Sequence, residues 1–99
     1  VAKTQKQRPK TLEQAFGQVL FAHREKKGYS QMDLAVAAGY SLRYMGDVER
    51  GAKSATMRTM NDLATLLDVS LGTLLVEAEA LLNGKPKPTK RSLHRPKLR

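Results

Sequence analysis

Three observations predict an all-α fold for this chain. First, β-branched apolar residues are scarce: isoleucine is absent and valine is thinly spread, so strands would lack their usual side chains. Second, with two phenylalanines and no tryptophan the core must be built from Leu, Met, Val and Ala, which suits packed helices. Third, between residues 11 and 83 small polar residues and glycines recur where helices start and stop. The 99 residues are enough for one small domain plus tails. A core of that size is marginal, and dimerisation would help it.

The elements follow in order. Residues 1–10 carry Lys3, Lys6, Arg8 and Lys10 around Pro9, with no acid, and read as a basic disordered arm. Thr11 followed by Gln14 is a capping box, and Leu12, Ala15, Phe16, Val19 and Leu20 then recur at helical spacing. Helix 1 is expected from Leu12 to Lys27. Lys26 and Lys27 favour the dipole of its last turn, and Gly28 ends it. Ser30 caps helix 2 (31–38), with Asp33 at the third helical position and an apolar set of Met32, Leu34, Ala35 and Ala38. Gly39 stands where a tight turn needs a left-handed backbone. Ser41 caps helix 3 (42–50), whose apolar pair is Met45 and Val48, and Gly51 closes it. Thr56 caps helix 4, with Met57, Met60, Leu63, Ala64 and Leu67 on one face. Ser70 caps helix 5, with Leu71, Leu74, Leu75, Ala78, Leu81 and Leu82, and Asn83-Gly84 stops it. Residues 84–99 hold seven basic residues, no acid and three prolines, and read as a basic disordered tail.

Helices 2 and 3, short and joined through one glycine, have the pattern of a helix-turn-helix. Their surroundings sharpen this. The net charge is +9, yet residues 11–83 hold seven basic and nine acidic residues, so the expected domain is −2 and the excess lies in the tails. Like-charged tails suit a polyanion, with nucleic acid ahead of an anionic membrane surface. No cysteine is present, and no apolar run approaches the roughly 20 residues of a membrane span. No signal-peptide pattern opens the chain. No catalytic or nucleotide-binding motif occurs, and His23 and His94 lack companion ligands, so neither an enzyme nor a metal or cofactor is expected.

The region from Phe16 to Leu75, about 60 of the 99 residues, resembles the lambda-repressor-like helix-turn-helix family of Cro/C1 or XRE type. The matching pieces are Arg24, Ser30-Gln31, Leu34-Ala35, Ala38-Gly39, Val48-Glu49-Arg50-Gly51, Leu63-Ala64 with Leu67, Val69-Ser70-Leu71 and Leu74-Leu75. The Tyr44-Met45-Gly46 stretch is similar to that of restriction–modification controller proteins and small bacterial repressors. The resemblance implies a compact five-helix domain that binds double-stranded operator DNA, usually as a homodimer. Helix 3 would enter the major groove and helix 2 would lie across the backbone. The implied setting is the cytoplasm of a bacterium, at the nucleoid, with a bacterial or phage source.

Helix periodicity places Met45, Val48 and Glu49 on the inward side of helix 3 and Arg43, Asp47 and Arg50 on the outward side, with Leu42 and Gly46 beside them. The resemblance puts Ser41, Leu42, Arg43 and Asp47 at the base-reading positions. Arg43 leads, because a guanidinium can hold guanine through two hydrogen bonds. Asp47 would accept from cytosine or orient Arg43, and Leu42 would pack on a thymine methyl group. The alternative for this face is a solvated surface with an Arg43–Asp47 pair. Gly46 either allows close approach to DNA or helix 2, or is a tolerated cost. Gln31, Tyr44, Lys53, Thr56 and Arg58 are candidate phosphate contacts, against capping or surface solvation. Arg24 and Glu49 are implied to be a structural ion pair across helices 1 and 3. Leu81 and Leu82 are candidates for a dimer surface, and Leu74 for the domain's own core. The tails would follow the phosphate backbone or a minor groove, or only aid solubility. The leading function is a transcription regulator on a palindromic operator. The other is a protein-interaction adaptor, or an antitoxin partnered by a toxin, with non-specific nucleic-acid affinity from the tails.

Overall fold

The computed structural model describes residues 8–84. The rest of the expected arm (1–7) and of the expected tail (85–99) lies outside the described residues. Five helices follow one another: α1 Leu12–Lys27, α2 Gln31–Ala38, α3 Leu42–Arg50, α4 Met57–Leu66 and α5 Leu71–Asn83. There is no strand among the described residues, and no helix there is long and apolar enough to cross a membrane. The domain is all-α.

Each helix begins on a hydroxyl cap that satisfies one of the amides a helix start leaves free. Ser30 and Asp33 form a complete capping box on α2, with bonds of 2.9 and 2.8 Å between each side chain and the other's amide. The donor at Ser30 holds the Asp33 carboxyl below its ordinary pKa. On α1 the expected box is only half made. Thr11 Oγ1 accepts from the Gln14 amide, but Gln14 Oε1 accepts from Lys10, one residue before the cap, at 2.7 Å. Pro9, just before the cap, is buried, while Arg8 and Lys10 on either side of it are exposed. At the turn between α2 and α3, Gly39 has φ +81°, and its amide closes α2 on Ala35 and Val36 carbonyls.

The core lies where α1 packs on α3 and α5, and α2 on α3 and α4. Its largest fully buried side chains are Leu20, Leu34, Met45, Val48, Leu63 and Leu74. Burying one such side chain contributes about 1.5–3 kcal/mol. Three residues of the expected apolar sets are instead outside. Leu12 is 46% exposed, because it is the first residue of α1 and lies before the buried Ala15 and Phe16. Met32 is 51% exposed, because Leu34 and Ala35 turn the buried side of α2 away from it. Met57 is 68% exposed, because α4 meets the core through Thr59, Leu63 and Ala64 and its first residue lies beyond that layer.

α1 and α3 approach closely at Gly17. A Cβ there would stand 2.2 Å from the Glu49 carbonyl oxygen and 2.6 Å from that of Val48. The C-terminal half of α3 therefore rests directly on the α1 backbone.

Candidate nucleic-acid interface

α3 is held from behind. The Arg24 guanidinium, on α1, meets Glu49 through Nε at 2.6 Å and Nη2 at 3.0 Å. Arg24 Nη1 donates to the Tyr29 carbonyl at 2.8 Å, and its Cζ lies 5.2 Å from the Phe21 ring centroid. Both partners are buried, so each charge depends on the other. Hydrogen bonding to Glu49 is the main cause raising the Arg24 pKa above its ordinary value. Gln31 Nε2, from α2, donates to Glu49 Oε1 at 2.9 Å. One carboxylate thus joins α1, α2 and α3.

The N-terminal turn of α3 faces outward. Ser41, Leu42 and Arg43 are exposed, and the Ser41 hydroxyl accepts from the Tyr44 amide at 3.0 Å. The Arg43 guanidinium has no hydrogen-bond or ion-pair partner among the described residues, which leaves its fork of donors open to a ligand.

Asp47 is placed differently from its expected role as an open base reader. It is buried. One carboxylate oxygen accepts from Arg50 Nη2, and the other lies 3.9 Å from Lys53 Nζ. The Arg43–Asp47 pair is not formed, because two cations from the C-terminal side of Asp47 already occupy its carboxylate. Its carbonyl also accepts from the Ala52 amide at 2.8 Å, which starts the loop carrying Lys53.

The candidate phosphate contacts are spread over α2, α3, the loop after α3 and the start of α4. Gln31 opens α2, where first-turn amides have no intrahelical acceptor, but its side-chain nitrogen is committed to Glu49. Tyr44 is half-buried, its ring centroid 5.2 Å from that of Tyr40, with the planes tilted by 57°. Thr56 caps α4 by accepting from the Thr59 amide at 3.1 Å. Arg58 is exposed and has no ion-pair partner among the described residues. Ser54 donates to Glu13 Oε2 at 3.0 Å, tying the loop beneath Lys53 to α1.

The dimer candidates separate. Leu82 packs against the domain's own core with Leu74 and Ala78, whereas Leu81 is 40% exposed. Two residues, Tyr40 and Gly17, were missed in the sequence, and Arg50 was placed on the outward face without its partner. Tyr40 joins the turn to α4 through a 3.0 Å bond to Thr59 Oγ1. Gly17 lies seven residues before Arg24, on the same face of α1, and that spacing was its available signal. Arg50 stands three residues after Asp47, the spacing of neighbours on a helix surface.

Comparison with known proteins agrees with this geometry. Residues 15–78 match the model of a helix-turn-helix domain family. The chain is 36% identical over 62 residues to the HTH-type transcriptional regulator SinR of Bacillus subtilis, covering 62% of this chain and 56% of that protein. It therefore spans little more than half the length of this relative. Among solved structures, the clp gene regulator ClgR of Corynebacterium glutamicum superposes with a TM-score of 0.73 at 28% identity, covering 78% of this chain and 81% of that one. The restriction-modification controller protein C.AhdI of Aeromonas hydrophila gives 0.60 at 39% identity, covering 62% and 92%. The helix order, the glycine turn, the buried core and the family match over residues 15–78 lead to one conclusion: the chain belongs to the XRE-type, lambda-repressor-like family of helix-turn-helix domains.

Proposed function

We propose that this chain is a transcription regulator that binds double-stranded DNA in a sequence-specific manner, as a dimer on a two-fold symmetric operator. One observation carries the reading: the outward N-terminal turn of α3 presents Arg43 without a partner among the described residues, on a helix fixed from behind by Arg24 and Glu49. In a helix-turn-helix this turn meets base edges in the major groove. Arg43 would hold guanine, Leu42 would pack on a thymine methyl group, and Ser41 would lie at the groove edge. The first-turn amides of α2 and α4, with Tyr44, Lys53, Thr56 and Arg58, would hold flanking phosphates. Leu81 is the residue offered to a second copy, because Leu82 is already used by the core. Work on bacterial DNA would place the protein in the cytoplasm.

The test is selection of bound sequences from random duplexes at near-physiological salt. A two-fold symmetric motif with half-sites about one helical turn apart supports the proposal. Binding without a motif, lost as salt rises, refutes it. Arg43→Ala should relax preference at one base position per half-site. Equal weakening on every sequence would remove Arg43 from the readers.

A further inference from the structure

The pairing of Arg50 with Asp47 gives α3 a second candidate reading group. Arg50 is the last residue of α3, beyond the N-terminal turn that carries Arg43. Its side chain is 64% exposed and runs back along the helix. Nη2 donates to Asp47 Oδ1, while Nη1 lies 3.1 Å and Cζ 4.0 Å from where a Cβ on Gly46 would stand. Gln31 Oε1 lies 3.7 Å from the same point. The guanidinium therefore reaches back over position 46, about 6 Å toward the N-terminal turn at 1.5 Å per residue. It lies on the outward face shared with Arg43.

The surroundings favour a set position over a loose surface contact. The Asp47 side chain is only 12% exposed, and its second oxygen has Lys53 Nζ 3.9 Å away. The carboxylate that grips Arg50 is thus anchored in the domain. Gly46 leaves room for the guanidinium, although glycine inside a helix costs about 1 kcal/mol against alanine. A guanidinium has five N–H donors, so one bond to Asp47 leaves an edge free for a bidentate acceptor. Guanine O6 and N7 form such an acceptor in the major groove.

Resting on the DNA-binding reading above, we infer that Arg50 is a second base-reading residue, directed at guanine, and that Asp47 is the positioning residue that holds its guanidinium across Gly46. Asp47 then acts on specificity through Arg50 and makes no base contact of its own.

Sequence selection with the full chain, three variants at positions 47 and 50, and Arg43→Ala tests this. Arg50→Ala should lower discrimination about tenfold at one base position per half-site, a position different from the one lost in Arg43→Ala. Arg50→Lys keeps the charge and should keep the salt dependence, but should lose most of the same discrimination, because one compact ammonium cannot hold Asp47 and both guanine acceptors in a fixed plane. Asp47→Asn should relax that same position by a smaller factor. Arg50 is exposed, so the lysine variant remains decisive if Asp47→Asn unfolds. Equal weakening of Arg50→Ala on all duplexes, with the salt slope reduced by about one, makes Arg50 a phosphate contact and overturns the inference. So does Asp47→Asn relaxing a position that Arg50→Ala leaves intact, since Asp47 would then read alone. A wild-type motif that Arg43→Ala alters and Arg50→Ala leaves unchanged overturns this inference but keeps the proposed function. A wild type that selects no motif overturns both.

Discussion

Gly17→Ala separates the tertiary structure from local helix preference, because the two give opposite signs. In an exposed helix interior, alanine in place of glycine stabilises by about 1 kcal/mol. Here the added Cβ would stand 2.2 Å from the Glu49 carbonyl oxygen, 2.6 Å from that of Val48 and 2.7 Å from the Glu49 carbonyl carbon. All three are backbone atoms, so no rotamer change relieves the clash. Contacts become ordinary near 3.5 Å, so α1 and α3 must part by about 1 Å. Overpacking of this kind typically costs 1–3 kcal/mol, occasionally more. The shift also strains the Arg24–Glu49 pair, whose bonds are 2.6 and 3.0 Å. The cost therefore belongs at or above the top of that range, and offsetting the alanine gain leaves a net loss of about 2 kcal/mol. For a domain of this size that lowers Tm by about 8–16 °C. Thermal and urea unfolding followed by circular dichroism measure both numbers. Gly72→Ala is the control: on the exposed first turn of α5, its Cβ would meet only Ser70 Oγ, at 3.8 Å, so Tm should hold or rise. A Gly17→Ala protein as stable as the parent, or more so, would refute the close-packed account of α1 and α3.

Other expectations follow from the same contacts. Glu49→Ala leaves Arg24 buried without its partner and should cost about 3–5 kcal/mol in urea unfolding. Tyr40→Phe removes the bond to Thr59 and should cost about 1 kcal/mol with the fold kept. Leu82→Ala, which opens the core, should lower stability by about 2 kcal/mol, while Leu81→Ala should leave it nearly unchanged and weaken self-association in sedimentation. The Asp33 pKa is depressed in the fold, so its contribution is present above the ordinary aspartate pKa and is lost as pH falls through the lower folded value. Asp33→Asn should flatten that acid limb of Tm against pH; an unchanged limb would show that the box gives no linkage.

Much of the fold was legible because helix starts are local. Thr11, Ser30, Ser41, Thr56 and Ser70 each bond an amide three residues on, and the five helices begin after them. What periodicity missed depends on neighbours distant in sequence. Met32 and Met57 have the chemistry of core residues but lie outside the packed layers. After α4, Asp68 turns the chain at φ +59° without a glycine, and its carboxylate lies 2.9 Å from Lys27 Nζ on α1, a contact across 41 positions that periodicity does not carry. In the candidate interface, helix spacing put Arg43 on the outward side with Leu42 beside it, whereas Ser41 entered only through the family resemblance. The burial of Asp47 did not, because it depends on two flexible cations folding back over it. Gln31 was similarly opaque: its link to Glu49 spans 18 positions.

The contacts that anchor α3 and the side chains it presents at its start belong to separate sets. Gly17, Arg24, Met45, Val48 and Glu49 fix where the helix lies, whereas Leu42 and Arg43 touch little of the domain. Exchanges at positions 42 and 43 are therefore nearly free of folding cost. Under the proposed function, this chain can drift to new operators by changing two side chains on a constant frame. The same two positions are where a transplanted DNA preference should take hold, provided Asp47 and Arg50 travel together as one inherited unit.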